Sequence, residues 1–170
     1  MLMFVRIFLV VAAVLSSQTG LGVAGADDDE CSWSLVFDAG SSGTRLHIFK
    51  IRRETGKPDT FLEYIPDSKD DENKLSLRPG LSGHLKAGDL ENVRVDIAKL
   101  LSEATRYLPE NKHASTPVRL GATAGFRLLT IAQQDQVISA ATEALSDKTI
   151  NPFSSYGAFI LSGEEEAVFG

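Results

Sequence analysis

A single cysteine, Cys31, leaves the chain without the means for an internal disulfide, so a fold stapled by its own bridges is excluded. Cys31 reads either as a free or buried thiol, or as the partner of a cysteine on another chain or in sequence outside these 170 residues. Histidine is sparse too. His47, His84 and His113 stand far apart, and without clustered Cys or His ligands there is no zinc spacing. Positive charge is also short: 17 Lys and Arg against 23 Asp and Glu give a formal net charge of −6. Such a chain is not built to hold a polyanion over a broad surface, so nucleic acid is not an expected partner. A small anion is not excluded, because backbone N–H groups bind one locally.

The sequence also lacks an uninterrupted apolar run of the about 20 residues that a spanning helix needs. The nearest candidate is at the N-terminus, where Arg6 precedes an apolar stretch from Ile7 to Leu15 that Ser16, Ser17, Gln18 and Thr19 break. Ala24-Gly25-Ala26 follows, just before the acidic run Asp27-Asp28-Asp29-Glu30. A charged start, a short apolar centre and an A-x-A site describe a secretory signal peptide over residues 1–26, with a retained membrane anchor as the alternative. That places the protein in the secretory pathway, extracellular or in an endomembrane lumen, and touching membrane only if the segment stays uncleaved.

What remains, residues 27–170, has ordinary globular composition: over the whole chain 43% of residues are hydrophobic and 24% charged. WSLVF (Trp33–Phe37) and RLHIFKI (Arg45–Ile51) predict two strands joined as a hairpin, with Leu46, Ile48 and Lys50 on one face of the second. TFLEYI (Thr60–Ile65) predicts a third strand, Pro66–Lys74 a solvated loop, and Pro79-Gly80-Leu81-Ser82-Gly83 a turn. Asp89 is placed to cap a helix whose stripe runs Leu90, Val93, Ile97, Leu100, Leu101, Ala104, Leu108, closed by Pro109. VRLGA (Val118–Ala122) predicts a strand. Thr130 and Gln133 form a capping box ahead of the stripe Val137, Ile138, Ala141, Ala144, Leu145, and Asn151-Pro152 ends that helix. AFIL (Ala158–Leu161) predicts a last strand, and Gly163 onward another helix. Hairpins followed by alternating helices and strands predict an α/β domain, a mixed sheet flanked by helices.

Chemistry concentrates in three places. In Asp38-Ala39-Gly40-Ser41-Ser42-Gly43-Thr44-Arg45, Gly40 and Gly43 permit a tight turn whose N–H groups point one way, a nest for phosphate oxygens. Ser41, Ser42 and Thr44 add hydroxyls, Arg45 a charge that can pair with phosphate, and Asp38 a carboxylate able to hold a magnesium ion through water. An ordinary Gly/Ser hairpin turn capped by Asp38 explains the same residues equally well. In Gly121-Ala122-Thr123-Ala124-Gly125-Phe126-Arg127, a strand runs through small residues into a helix, a junction that lets backbone approach an anion. There Arg127 reads more readily as part of a structural ion pair than as a ligand. Ser162-Gly163-Glu164-Glu165-Glu166 opens a helix with acid, which the helix dipole alone accounts for at Glu164 and Glu165. A carboxylate aimed into a cleft would instead serve as a general base.

DAGSSGTR, ATAGFRLL and SGEEEAVFG resemble, in order, the first three signature segments of the apyrases, or nucleoside triphosphate diphosphohydrolases, and RPGLS (Arg78–Ser82) resembles a further stretch of that family. The resemblance runs from about Trp33 to Gly170. It implies an actin-like, ribonuclease-H-like N-terminal lobe, with the second lobe missing from these residues and nucleotide held between the two. It implies that Ser41, Ser42, Gly43 and Thr44 bind phosphate, that Thr123, Ala124 and Gly125 lie along the phosphate site, that Asp38 orients the water shell of Ca2+ or Mg2+, and that Glu166 is the catalytic base. The implied activity is metal-dependent release of phosphate from nucleoside tri- or diphosphates; the alternative is a truncated, non-catalytic fragment that binds phosphate or a partner. A different actin-like phosphotransferase, such as a sugar kinase or polyphosphatase, would share a phosphate loop but not the pairing of ATAGFRLL with SGEEEA. The chain departs from the family in having Ala167 where glycine is usual.

The N-terminal segment is directly testable. Secreted from a eukaryotic host, the protein is expected to begin at Asp27 by intact-mass measurement; recovery from the membrane fraction with residues 1–26 attached would identify an anchor instead.

Overall fold

The computed structural model describes residues 31–40, 42–52, 60–63, 74–86, 89–154 and 157–160. The N-terminal segment 1–26, Ser41, residues 64 and 65 of the predicted third strand, nearly all of the predicted 66–74 loop, and the motif from Ser162 to Gly170 lie outside them. Among the described residues no helix is long and apolar enough to cross a membrane.

The first two strands, β1 (Cys31–Ala39) and β2 (Thr44–Arg52), form an antiparallel hairpin longer at both ends than the apolar runs alone predict, because ladder hydrogen bonds continue to the Ala39–Thr44 pair. β3 (Thr60–Glu63) pairs antiparallel with the outer edge of β2. A two-residue strand, β4 (Ser76–Leu77), also pairs with β2, opposite Thr44 and Arg45. The chain then forms α1 (Leu81–Lys86), α2 (Glu91–Ala104), the short α3 (Glu110–His113) and β5 (Val118–Ala122). A 3₁₀ turn (Ala124–Leu128), α4 (Ile131–Ser146) and β6 (Ala158–Ile160) complete it.

The sheet order is β3-β2-β1-β5-β6. β1, β2 and β3 are antiparallel; β5 and β6 run parallel to β1. A meander joined to parallel strands through helical crossovers, in this order, is the arrangement of an actin-like, ribonuclease-H-like lobe. Register places Leu35, Phe37 and Ala39 beside Ile48, Leu46 and Thr44 on one side, and beside Val118, Leu120 and Ala122 on the other, so all share one face. The apolar members of that face share one core with Val93, Ile97, Leu100 and Leu101 of α2 and Val137, Ala141, Ala144 and Leu145 of α4.

Several local expectations need correction. Asp89 does not cap α2: Leu90 is the N-cap, with no side-chain hydrogen bond, and Asp89 instead accepts from Asn92 Nδ2 at 2.6 Å. The helix ends at Ala104 rather than running to Leu108. Tyr107 N bonds Ala104 O, tightening the last turn, and Leu108 reaches the core from outside the helix. Lys50 shares the face of Leu46 and Ile48 as expected, but lies half-buried beyond them with its Nζ 5.7 Å over the Trp33 ring. Meanwhile His47, Phe49 and Ile51, on the opposite face of β2, are buried as well. The Pro79–Gly83 turn is in part helix, since α1 begins at Leu81. The capping box is present as expected: Gln133 N donates to Thr130 Oγ1 at 3.3 Å, and Thr130 N to Gln133 Oε1 at 2.9 Å.

The far end of α4 is finished by side chains. Asn151, fully buried, donates through Nδ2 to Leu145 O and accepts from Phe153 N at 3.0 Å, satisfying a helix-end carbonyl. Asp147 places a carboxylate at the negative end of the helix dipole, an unfavourable position. Thr149, through its hydroxyl (2.6 Å) and its backbone N–H (2.8 Å), and Arg94 of α2 (2.6 Å) hold that carboxyl below its ordinary value of 3.8.

Replacing Asn151 with Ala leaves the Leu145 carbonyl and the Phe153 N–H unpaired in the core, and is expected to cost about 1–3 kcal/mol in urea unfolding. Asp147→Asn tests the other device. A carboxyl whose folded value is lowered contributes stability that is present above 3.8 and lost as pH falls through the folded value. The variant is therefore expected to melt below the native protein at neutral pH, with the gap closing on acidification.

Candidate functional site

The carboxyl ends of β1, β5 and β6 are in register, Ala39 beside Ala122 and Ala122 beside Ile160. The segments that follow β1 and β5 therefore leave the sheet along one edge, where open α/β sheets hold their ligands. They are the first two chemistry-bearing stretches of the sequence; the third lies outside the described residues.

The first is the β1–β2 turn. Gly40 N donates to Gly43 O at 3.0 Å, which closes the turn. Ser42 is exposed. Thr44 is fully buried on the helix-covered face, and its Oγ1 has no hydrogen-bond partner among the described residues. Asp38 lies on the opposite face, directly across from Arg45, an arrangement that favours opposite charges. Asp38 Oδ1 is likewise buried and without a partner. Buried polar atoms are almost always paired, so these two stand out beside the turn, as Ser32 Oγ and Ser34 Oγ do farther back along β1.

The second stretch meets the first. Thr123, 3% exposed, donates its N–H to Ala39 O at 3.1 Å, and a Cβ on Gly40 would lie 3.9 Å from Thr123 Oγ1. Ala124 and Gly125 begin the 3₁₀ turn, and the α-helix starts only at Ile131. The expected α-helix N-terminus at this junction is thus a five-residue 3₁₀ turn, which carries little dipole. Arg127, at its end, is exposed. Of the third stretch the structure describes only the strand before it; Glu164, Glu165 and Glu166 lie outside the described residues.

The glycines of the first motif have a structural role that spacing did not reveal. A Cβ on Gly43 would stand 2.9 Å from Leu77 O, so β4 can approach the turn only because that position is bare. Gly80 packs from the same side: its Cβ would fall 2.0 Å from Gly40 O and 3.0 Å from Gly43 N. Gly80 belongs to the RPGLS segment, which sequence alone marks as a turn with no link to the site.

Among the described residues no group of three or more His, Cys, Asp or Glu gathers as a metal site. A single unpartnered carboxylate suits magnesium, which keeps several waters and takes few protein ligands, sharing its shell with substrate phosphates. Asp38 therefore fits a cation held through water.

Fold and edge together define the class: an actin-like lobe with a glycine-rich turn at the carboxyl ends of its central strands. The family model of the GDA1/CD39 (nucleoside phosphatase) family matches residues 24–170, and the chain belongs to that family. It is 32% identical over 147 residues to "Probable apyrase 1" of Oryza sativa subsp. japonica, covering 86% of this chain and 28% of that protein. It is 30% identical over 164 residues to "Ectonucleoside triphosphate diphosphohydrolase 1" of Bos taurus, covering 95% of this chain and 30% of that protein. The chain thus spans less than a third of these curated relatives. A solved nucleoside triphosphate hydrolase from Neospora caninum is similar at 16% identity and a TM-score of 0.43, covering 77% of this chain and 29% of that one. The sheet order, rather than that similarity, defines the fold here.

Proposed function

We propose that residues 27–170 form the phosphate-gripping N-terminal lobe of a metal-dependent phosphohydrolase acting on nucleoside tri- or diphosphates. The observation that supports this reading is the pair of unpartnered buried oxygens, Asp38 Oδ1 and Thr44 Oγ1, on the two faces of the sheet beside the turn to which the motif resemblance gives a phosphate-binding role.

The roles follow from the residues. Backbone N–H groups of the turn, with Ser41, Ser42, Gly43 and Thr44, grip the terminal phosphates, and Arg45 adds positive charge on the Asp38 face. Thr123, Ala124 and Gly125 form the opposite wall. Asp38 orients the water shell of the cation. Bound Ca2+ or Mg2+ supplies neutralisation of charge on the phosphoryl oxygens. Glu166 takes a proton from water. The oxygen of that water forms a bond to the terminal phosphorus as the bond to the bridging oxygen breaks, releasing inorganic phosphate and a nucleotide one phosphate shorter. The signal-like N-terminus supports a site of action outside the cell or in a secretory lumen.

A second reading has its own support. Relatives at least three times as long contain much that these residues do not, which favours phosphate binding without turnover for the 170 residues by themselves. The two readings converge if catalysis requires sequence equivalent to the rest of those relatives.

In the protein with its natural downstream sequence, Glu166→Gln is expected to lower kcat for phosphate release by about 10²–10⁴-fold while nucleotide affinity changes little. Turnover at the native rate would remove Glu166 from the mechanism. The 170 residues alone are expected to bind nucleotide and release no phosphate, which a colorimetric phosphate assay checks directly.

A further inference from the structure

Gly80 touches the backbone of the phosphate turn with no room to spare, and it stands just ahead of α1. That short helix is not held by apolar packing alone. His84, 8% exposed, donates Nε2–H to Asp96 Oδ2 at 2.7 Å, and Asp96, 7% exposed, lies on the buried stripe of α2 among Val93, Ile97 and Leu100. Lys99 Nζ approaches the other carboxylate oxygen at 3.9 Å. One residue before His84, Gly83 N donates to Gly80 O at 2.7 Å, and a Cβ on Gly83 would lie 2.8 Å from Pro79 Cβ, so the first turn is folded tightly onto Pro79 and Gly80.

A continuous line of contacts therefore runs from the core through α2 and Asp96 to His84, along α1 to Gly80, and from there to Gly40 O and Gly43 N. The His84–Asp96 and Gly83–Gly80 links are at hydrogen-bond distance, and Gly80 leaves no room even for a Cβ against Gly40 O; close-packed contacts transmit displacement rather than absorb it. Losing either member of the buried pair leaves the other unsatisfied, so α1 has to move to restore solvation.

We infer that α1 is a strut. The His84–Asp96 pair holds Gly80 against Gly40 and Gly43 and so keeps the phosphate-binding backbone in its gripping geometry. Gly80, His84 and Asp96 are positioning residues, remote from any reacting atom. The inference rests on the phosphate-binding role of the turn.

The test uses the protein on its full natural chain, titrated calorimetrically with a non-hydrolysable ATP analogue in Mg2+, with the melting temperature recorded for each variant. Gly80→Ala and His84→Leu are expected to weaken binding about tenfold or more, since overpacking and loss of a buried pair each displace backbone. His84→Gln, which keeps an N–H for Asp96, is expected to recover most of the affinity. Asn151→Ala, which lowers stability at a distance from the strut, is expected to bind as the native protein does. Native affinity in Gly80→Ala and His84→Leu overturns the strut while leaving the phosphate reading intact. Affinity that falls in step with melting temperature in every variant, Asn151→Ala included, also overturns it. If Gly80→Ala does not fold, the contrast between His84→Leu and His84→Gln decides; if His84→Leu also fails, Asp96→Asn set against Asn151→Ala decides. Absence of binding by the native protein overturns the phosphate reading, and the strut with it.

Discussion

β1 is hydrogen-bonded on both sides, antiparallel to β2 and parallel to β5, and the sheet changes sense across it. The site depends on this. Ladder register along β1 brings Ala39 level with Ala122, and the β5–β6 pairing brings Ala122 level with Ile160. Segments far apart in sequence thus start from one edge. Because side chains alternate across a strand, the same register sends Ala39 and Thr44 toward the helices and Asp38 with Arg45 to the other face. A slip of one residue would exchange those faces and bury Asp38 in the apolar core.

Glycine serves two purposes at this edge. It permits a tight turn, and it permits a second backbone segment to lie directly on that turn. Gly43 admits Leu77 of β4, while Gly80 admits Gly40, so the turn is braced by both segments. A loop meant to hold an anion with backbone N–H groups has to be fixed before the anion arrives, because ordering it during binding would consume the interaction energy. Here the bracing comes from hydrogen bonds and close backbone packing, and the hydroxyl and carboxylate oxygens beside the turn are left unpaired.

Much of the fold was legible because the signals were local. The stripe Val93, Ile97, Leu100, Leu101, Ala104 faces the core as its period requires, and Thr130 with Gln133 closes both bonds of a capping box. Errors arose where local pattern and tertiary context part. Leu108 continues the helical spacing of α2, yet it reaches the core from a turn, which periodicity cannot distinguish. His47, Phe49 and Ile51 are covered as well, on a face of β2 that the alternation of Leu46 and Ile48 does not address. Pro79-Gly80 reads as a turn because both residues usually mark one; helix begins directly after it.

The sequence by itself determined the family, the two long helices, the strand order along the chain, and which residue types were available for phosphate and metal chemistry, since each rests on near neighbours or on motifs read in succession. Tertiary structure alone decided that Thr123 would stand against Gly40, that Asp38 and Thr44 would keep buried oxygens without partners among the described residues, and that Gly80 would press on the β1–β2 turn. Those outcomes come from strand register and close packing between segments distant in the chain. No residue carries that information in its immediate neighbourhood.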